Sequence, residues 1–141
     1  MKNKSSSFMQ TTKIGVACVL LDCNRHIWLS QRLGPYQTGK YACPGGMVDP
    51  TDVDDIFAIQ REILEETGIN IVDTTRFKRS ITSHHSGGKS DVTQWFVLNL
   101  TSNEQPVNLE PTKHGDWKKY SLADAKLLPL MVSTDEILKT L

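Results

Sequence analysis

The chain has 141 residues, of which 38% are hydrophobic and 23% charged, and its sixteen Lys and Arg balance its sixteen Asp and Glu. That length supports one core and not two, and the composition excludes a disordered or fibrous chain. A net charge of zero argues against a nucleic-acid binder working by bulk electrostatics, which carries a basic excess, and no apolar run approaches the roughly 20 residues that cross a membrane.

Residues 1–12 (MKNKSSSFMQTT) carry two lysines with no apolar segment behind them, so they read as a flexible polar tail and not as an export signal. Residues 13–141 read as a single domain. The three cysteines, Cys18, Cys23 and Cys43, lack zinc-ligand spacing and are odd in number, which points to free thiols in a reducing, cytoplasmic setting. Residues 13–21 (KIGVACVLL) are apolar and β-branched, a buried strand. Asp22-Cys23-Asn24 is turn material, and residues 27–32 (IWLSQR) alternate, as the partner strand of a hairpin does. Residues 33–40, with Gly34, Pro35 and Gly39, form a loop, and residues 41–43 form a short extended piece ahead of a hard turn at Pro44-Gly45-Gly46. Residues 53–67 are the one long helical stretch, stopped by Gly68. Residues 77–83 and 92–100 read as strands around a Gly87-Gly88 loop, residues 116–120 as a short strand, and residues 133–141 as a terminal helix capped by Ser133 or Thr134. Strands dominate and a helix lies between them, so the class is an α/β or α+β sandwich.

The helix carries the chemistry. At roughly 100° per residue, Val53, Ile56, Phe57, Gln60, Ile63, Leu64 and Thr67 share one side, the expected core face. Glu62, Glu65 and Glu66 fall on the other side, at about 240°, 180° and 280° from Ile56. Each of the like-charge pairs 62–65 and 62–66 costs roughly 0.2–0.5 kcal/mol in an isolated helix. All three acids sit in the last turns before Gly68, where the helix dipole favours a cation. A hard divalent ion, Mg²⁺ or Mn²⁺, would repair this; the plainer alternative is a solvated acidic face on an interaction helix. The neighbouring residues weigh for the ion. Arg61 reaches Glu65 one turn on, and the glycines upstream can offer a bare carbonyl to a metal or bare N–H groups to a phosphate.

These residues carry a resemblance. Gly46 followed by Arg61-Glu62-Ile63-Leu64-Glu65-Glu66-Thr67-Gly68-Ile69 resembles the Nudix box of the MutT-like pyrophosphohydrolases, G-x5-E-x7-R-E-U-x-E-E-x-G-U with U aliphatic. The REILEETGI half matches at every specified position, while the first acid is Asp52 in place of Glu, and eight residues instead of seven separate it from Arg61. Asp52 or Asp54 could instead cap the helix. The resemblance spans residues 13–120 and is strongest over residues 44–69. It implies a Nudix-type α/β/α sandwich with a mixed sheet and one catalytic loop-helix. It also implies that Glu62, Glu65 and Glu66 bind Mg²⁺, with Mn²⁺ as a substitute, that Gly46 lends a backbone carbonyl, and that Arg61 orients a catalytic carboxylate. The reaction implied is attack of water on a nucleoside diphosphate linked to a further group, with one glutamate, Glu65 or Glu62, taking the proton.

Residues 108–117 (NLEPTKHGDW) are similar to the EP-x-K…W segment of small Nudix nucleoside triphosphate pyrophosphatases, which release nucleoside monophosphate and pyrophosphate. Glu110 is then a further ligand or the general base, or else ordinary loop. Nucleotide-sugar or dinucleoside-polyphosphate hydrolysis, and a non-catalytic nucleotide sensor, are the alternatives. Arg32 and Lys40 are placed to meet phosphates, or are surface charges. Met47, Tyr41, Trp95, Phe96 and Trp117 are the large side chains available to a base pocket, although strand aromatics usually pack inward. His84 and His85 in a Ser/Gly loop could touch phosphate, though exposed loop histidines are commonly inert, and His26 and His114 carry no signal. The expected partner is a small nucleotide, with no nucleic acid and no membrane, and family resemblance suggests a homodimer.

Overall fold

A computed structural model describes residues 12–84 and 90–141. The elements run β1 (Ile14–Leu21), β2 (Ile27–Gln31), β3 (Tyr41–Ala42), β4 (Gly45–Met47), α1 (Asp55–Thr67), a 3₁₀ turn (Thr74–Arg76), β5 (Lys78–His84), β6 (Val92–Asn99), β7 (Lys118–Tyr120), α2 (Leu122–Ala125) and α3 (Val132–Leu138). β1 and β6 pair in parallel from Ile14↔Val92 to Leu21↔Asn99, and β5 lies antiparallel on β6. β2 meets β1 at Leu21↔Ile27 and then diverges to pair with β3 and β7. The part of the β1 edge that β2 leaves open is taken by β4, with Gly45 opposite Ala17 and Gly46 opposite Val16.

A strand covered on both faces reads as a continuous apolar run, and β1 is one. Its alternate side chains divide between two cores. Val16, Cys18 and Leu20 pack with Ala58, Ile59 and Ile63 of α1, while Ala17, Val19 and Leu21 pack with Trp95 and with Ile137 and Leu138 of α3. The result is the expected helix–sheet–helix sandwich with a mixed sheet. Among the described residues no helix is long and apolar enough to cross a membrane.

Several expectations need correction. Gly45 and Gly46 are not in a turn; they open β4, and neither has a positive φ. Gly45 is a glycine because β4 runs too close to β1 for a side chain, a Cβ there lying 2.8 Å from the Ala17 Cα, whereas a Cβ on Gly46 would meet the Glu62 carboxylate of α1. α1 is capped by Asp54, whose carboxylate accepts from Phe57 N at 2.8 Å, and ends on Gly68 at φ 77°. Its buried face is the expected one only in part: Ile63 and Thr67 are buried and Ile56 packs on the core. Val53, Phe57 and Leu64 are 83%, 43% and 44% exposed, while Ala58, Ile59, Glu62, Ile63 and Thr67 are buried. The acids therefore flank the core stripe instead of opposing it, and the helix is rolled to press Glu62 and Glu66 toward β4. The terminal helix begins at Val132, and neither Ser133 nor Thr134 caps it; the cap position is Met131, which makes no side-chain bond. α2, capped by Ser121 Oγ accepting from Asp124 N at 3.1 Å, and the 3₁₀ turn are too short to announce themselves by periodicity. His85, the Gly87-Gly88 loop and residues 1–11 of the tail lie outside the described residues.

Candidate active site

The helix that ends at Gly68 points its last turns at β4, and Arg61 fixes how they are presented. Its guanidinium forms a two-pronged contact with Asp52, Nε to Oδ1 at 3.0 Å and Nη2 to Oδ2 at 2.9 Å, and also donates to the Met47 carbonyl at 3.1 Å. The Asp52 side chain has no exposed surface, and the Arg61 guanidinium holds its carboxyl below the usual carboxylate range. Asp52 thus ties the loop after β4 to α1 and leaves the capping role to Asp54. The other prong of Arg61, Nη1, reaches Glu65 Oε1 at 3.2 Å and Glu62 Oε1 at 3.4 Å.

Glu62 lies directly beneath the backbone of β4, and Gly45 N donates to Glu66 Oε1 at 3.2 Å. Burial pushes the Glu62 carboxyl up against the pull of Arg61, and the charges of Glu65 and Glu110 add to the rise. Burial pushes Glu66 well above the ordinary range, and Glu62 and Glu110 push it further. The two carboxyls lie close enough to act on each other, and the charge of Glu62 adds to the rise at Glu66. Glu65 is half exposed. Among the described residues no three carboxylate, imidazole or thiol groups converge closely enough to hold a metal ion as they stand; Glu65 is turned aside to Arg61. The donor set is nevertheless one of hard oxygens lining the same cleft, with Glu62 buried and Glu66 half-buried, and that suits Mg²⁺.

Glu62, Glu65, Glu66, Gly45, Gly46 and Glu110 line one cleft of about 750 Å³. Arg32 and Met47 line it too, whereas Lys40 does not; it is an exposed residue at the end of a loop whose backbone pairs back on Arg32. Arg32 donates from Nε to the Tyr36 carbonyl at 2.7 Å and lies 5.7 Å from the centre of the Tyr36 ring. Trp95 and Trp117 are buried and still form part of the cleft wall, and Trp117 Nε1 donates to the Glu66 carbonyl at 3.1 Å. Tyr41 and Phe96 belong to the two cores. His84 is an exposed residue at the end of β5.

Other lining residues gave no signal in the sequence. The segment from Met131 to Thr134, Ser30, Ser90 and His114 all face the cleft. His114 is buried, its ring centre is 4.8 Å from that of Trp117, and its Nε2, like the Nε1 of Trp95, has no hydrogen-bond partner. Only the fold brings these positions together, so no local pattern could have named them.

A family model of the NUDIX domain matches residues 11–141. Among solved structures, the chain is similar to a MutT NUDIX hydrolase from Burkholderia pseudomallei, with TM-score 0.77 and 25% identity over 92% of this chain and 98% of that one. It is similar in fold to the NUDIX domain of Shewanella oneidensis NrtR complexed with ADP ribose, with TM-score 0.76 and 20% identity over 97% of this chain and 90% of that one. It is similar in fold to an Ap4A hydrolase of C. elegans, with TM-score 0.70 and 20% identity over 89% of this chain and 93% of that one. With the match running from residue 11 to the last residue and the REILEETGI segment lying along the cleft, the chain belongs to the NUDIX domain family.

Proposed function

We propose that this Nudix pyrophosphohydrolase cleaves a nucleoside triphosphate into nucleoside monophosphate and pyrophosphate, with Mg²⁺ as cofactor and Mn²⁺ as a substitute. The observation that carries the reading is that Glu62, Glu65, Glu66, Glu110 and Gly46 share one cleft with uncharged residues of β1, β6 and the start of α3, among them Ala17, Trp95 and Thr134. The acidic part suits a phosphate chain with its cation, the uncharged part a neutral heterocycle.

The bound ion would neutralise phosphate charge and make water acidic enough to attack phosphorus near neutral pH. Glu62 and Glu66 would hold it together with the Gly46 carbonyl. Glu65, the most exposed of the three, is the residue free to take the proton from water, and Arg61, anchored on Asp52, sets its orientation. Arg32 would meet a phosphate, and Met47 would form part of the wall. The charged groups facing the cleft are four glutamates against Arg32 and Lys113, and Lys113 is spent on Glu110 at 3.3 Å. Such a cleft favours a short phosphate chain that arrives with its own cation over a longer one that needs extra basic contacts. Unpaired cysteines support a reducing, cytoplasmic setting.

The test is a panel of nucleoside triphosphates, nucleotide sugars and dinucleoside polyphosphates with Mg²⁺, reading pyrophosphate against monophosphate release. Pyrophosphate from a triphosphate is the expected product. Faster turnover of a nucleotide sugar or dinucleotide would replace that substrate assignment, and saturable nucleotide binding with no turnover would make the protein a sensor.

A further inference from the structure

The segment that follows β6 lines the cleft with Glu110, Lys113 and His114 and is anchored at both ends. Val107 N donates to the Thr67 carbonyl at 3.0 Å, at the end of α1, and Gly115 N donates to the Gln31 carbonyl at 2.8 Å, at the end of β2. Leu33 N adds a bond to the Lys113 carbonyl at 2.9 Å. Between the anchors the chain turns at residues 110–114, with Lys113 N and His114 N both donating to the Glu110 carbonyl, at 2.9 Å and 3.3 Å. The side chain of Asn108 closes this turn from outside. Its Oδ1 accepts from Glu110 N at 3.0 Å, and its Nδ2 donates to the His114 carbonyl at 3.0 Å. The one side-chain amide supplies both the acceptor and the donor.

The turn carries Glu110, whose side chain is 24% exposed and lines the cleft with Glu62 and Glu66. It is close enough for its charge to act on both. A carboxylate on a loop is only as well placed as the loop, and second contacts of this kind decide whether a site is held within a fraction of an ångström. We propose that Asn108 is a positioning residue, whose two hydrogen bonds across the Glu110–His114 turn hold the Glu110 carboxylate toward the glutamates of α1. This rests on the reading of Glu110 as part of the cation and phosphate site.

The test is a double-mutant cycle with two readouts: turnover of a nucleoside triphosphate, and Mn²⁺ binding followed by calorimetry without substrate. Asn108→Ala is expected to lower kcat about tenfold with little change in KM, as small misplacements of catalytic groups do, and to weaken Mn²⁺ binding in the same direction as Glu110→Gln. Acting through Glu110, it should add nothing when Glu110 is already Gln. Asn108→Asp, which keeps the acceptor for Glu110 N but loses the donor, should fall between Asn108→Ala and the native protein. The proposal is overturned if the two single effects multiply in the double variant, or if Asn108→Ala lowers the melting temperature while leaving both readouts alone. If the native protein turns over none of the triphosphates but the Mn²⁺ cycle is non-additive, the clamp stands and the triphosphatase reading falls; if Mn²⁺ does not bind at all, both fall.

Discussion

Gly46 and Glu62 face each other so closely that a Cβ on the glycine would lie 2.5 Å from the carboxyl carbon of the glutamate. The glycine is there for the carboxylate and not for a bend in the chain. Gly46→Ala must push Glu62 away from β4 or push β4 off β1. We expect kcat to fall about 100-fold or more, because a displaced ligand misplaces the charge it holds, with a smaller change in circular dichroism. Near-native turnover in Gly46→Ala would separate Glu62 from the chemistry.

Glu66 sets stability against function. Its pKa in the folded chain lies well above the unfolded value, chiefly through burial and then through Glu62. For a carboxyl raised in this way, the stability contribution is full below the unfolded pKa, near 4.3, and is lost as pH rises through the folded value. In the cation-free protein Glu66→Gln should therefore raise unfolding free energy at neutral pH by about 1–2 kcal/mol, and the gain should vanish near pH 4. The same variant should lose most turnover, and its melting temperature should no longer climb with added Mg²⁺ as that of the native protein does. Thermal melts with and without chelator, at pH 4 and pH 7, read all of this.

How much was legible in advance divides along local and distant lines. REILEETGI is contiguous, so its match to a family pattern needed no fold. The β1 run and the hairpin to β2 follow from apolar periodicity alone. The rolled face of α1 was not legible, because a periodicity argument assigns acids to water, and here Glu62 is buried beside Ile59 and Ile63 to meet β4. Asp52 was hidden by the one-residue insertion: its partner Arg61 is nine positions on, and only the bond geometry shows that a shorter acid with a longer spacer still reaches it. His114 and Thr134 enter the cleft from loop and helix starts far apart in the chain, where no motif marks them.

The Asp52–Arg61 contact should behave as a brace rather than a ligand. Asp52→Asn keeps the shape and removes the charge, leaving the guanidinium with the Met47 carbonyl, Asp49 and the two glutamates. We expect a loss of about 2–3 kcal/mol of stability, the scale for breaking one side of a buried pair, and a fall in kcat as Arg61 swings toward Glu65. Arg61→Lys should be nearly as harmful, because an ammonium cannot span both Asp52 oxygens and still reach Glu65. Because the guanidinium lowers the Asp52 pKa, this contribution is present above the unfolded pKa near 3.9 and disappears as pH falls through the folded one; acid melts of Asp52→Asn and native protein should converge there.

A second pair, remote from the cleft, provides the control for these effects. Arg76 clasps Glu104 with Nη1 to Oε2 at 2.7 Å and Nη2 to Oε1 at 2.6 Å, and joins the 3₁₀ turn before β5 to the loop after β6. The guanidinium, with the Thr101 N–H donating at 2.9 Å, holds the Glu104 carboxyl at about 2. Its stabilisation is therefore full above the unfolded pKa near 4.3 and is lost as pH falls toward 2, the opposite sense to Glu66. Both side chains are partly open to solvent, so Glu104→Gln should cost about 1 kcal/mol. Neither residue lines the cleft, so kcat, KM and Mg²⁺ dependence should be unchanged in that variant. If Glu104→Gln lowered turnover as much as Asp52→Asn does, the losses at Asp52 would reflect general loosening of the fold, and the brace on Glu65 would have to be abandoned.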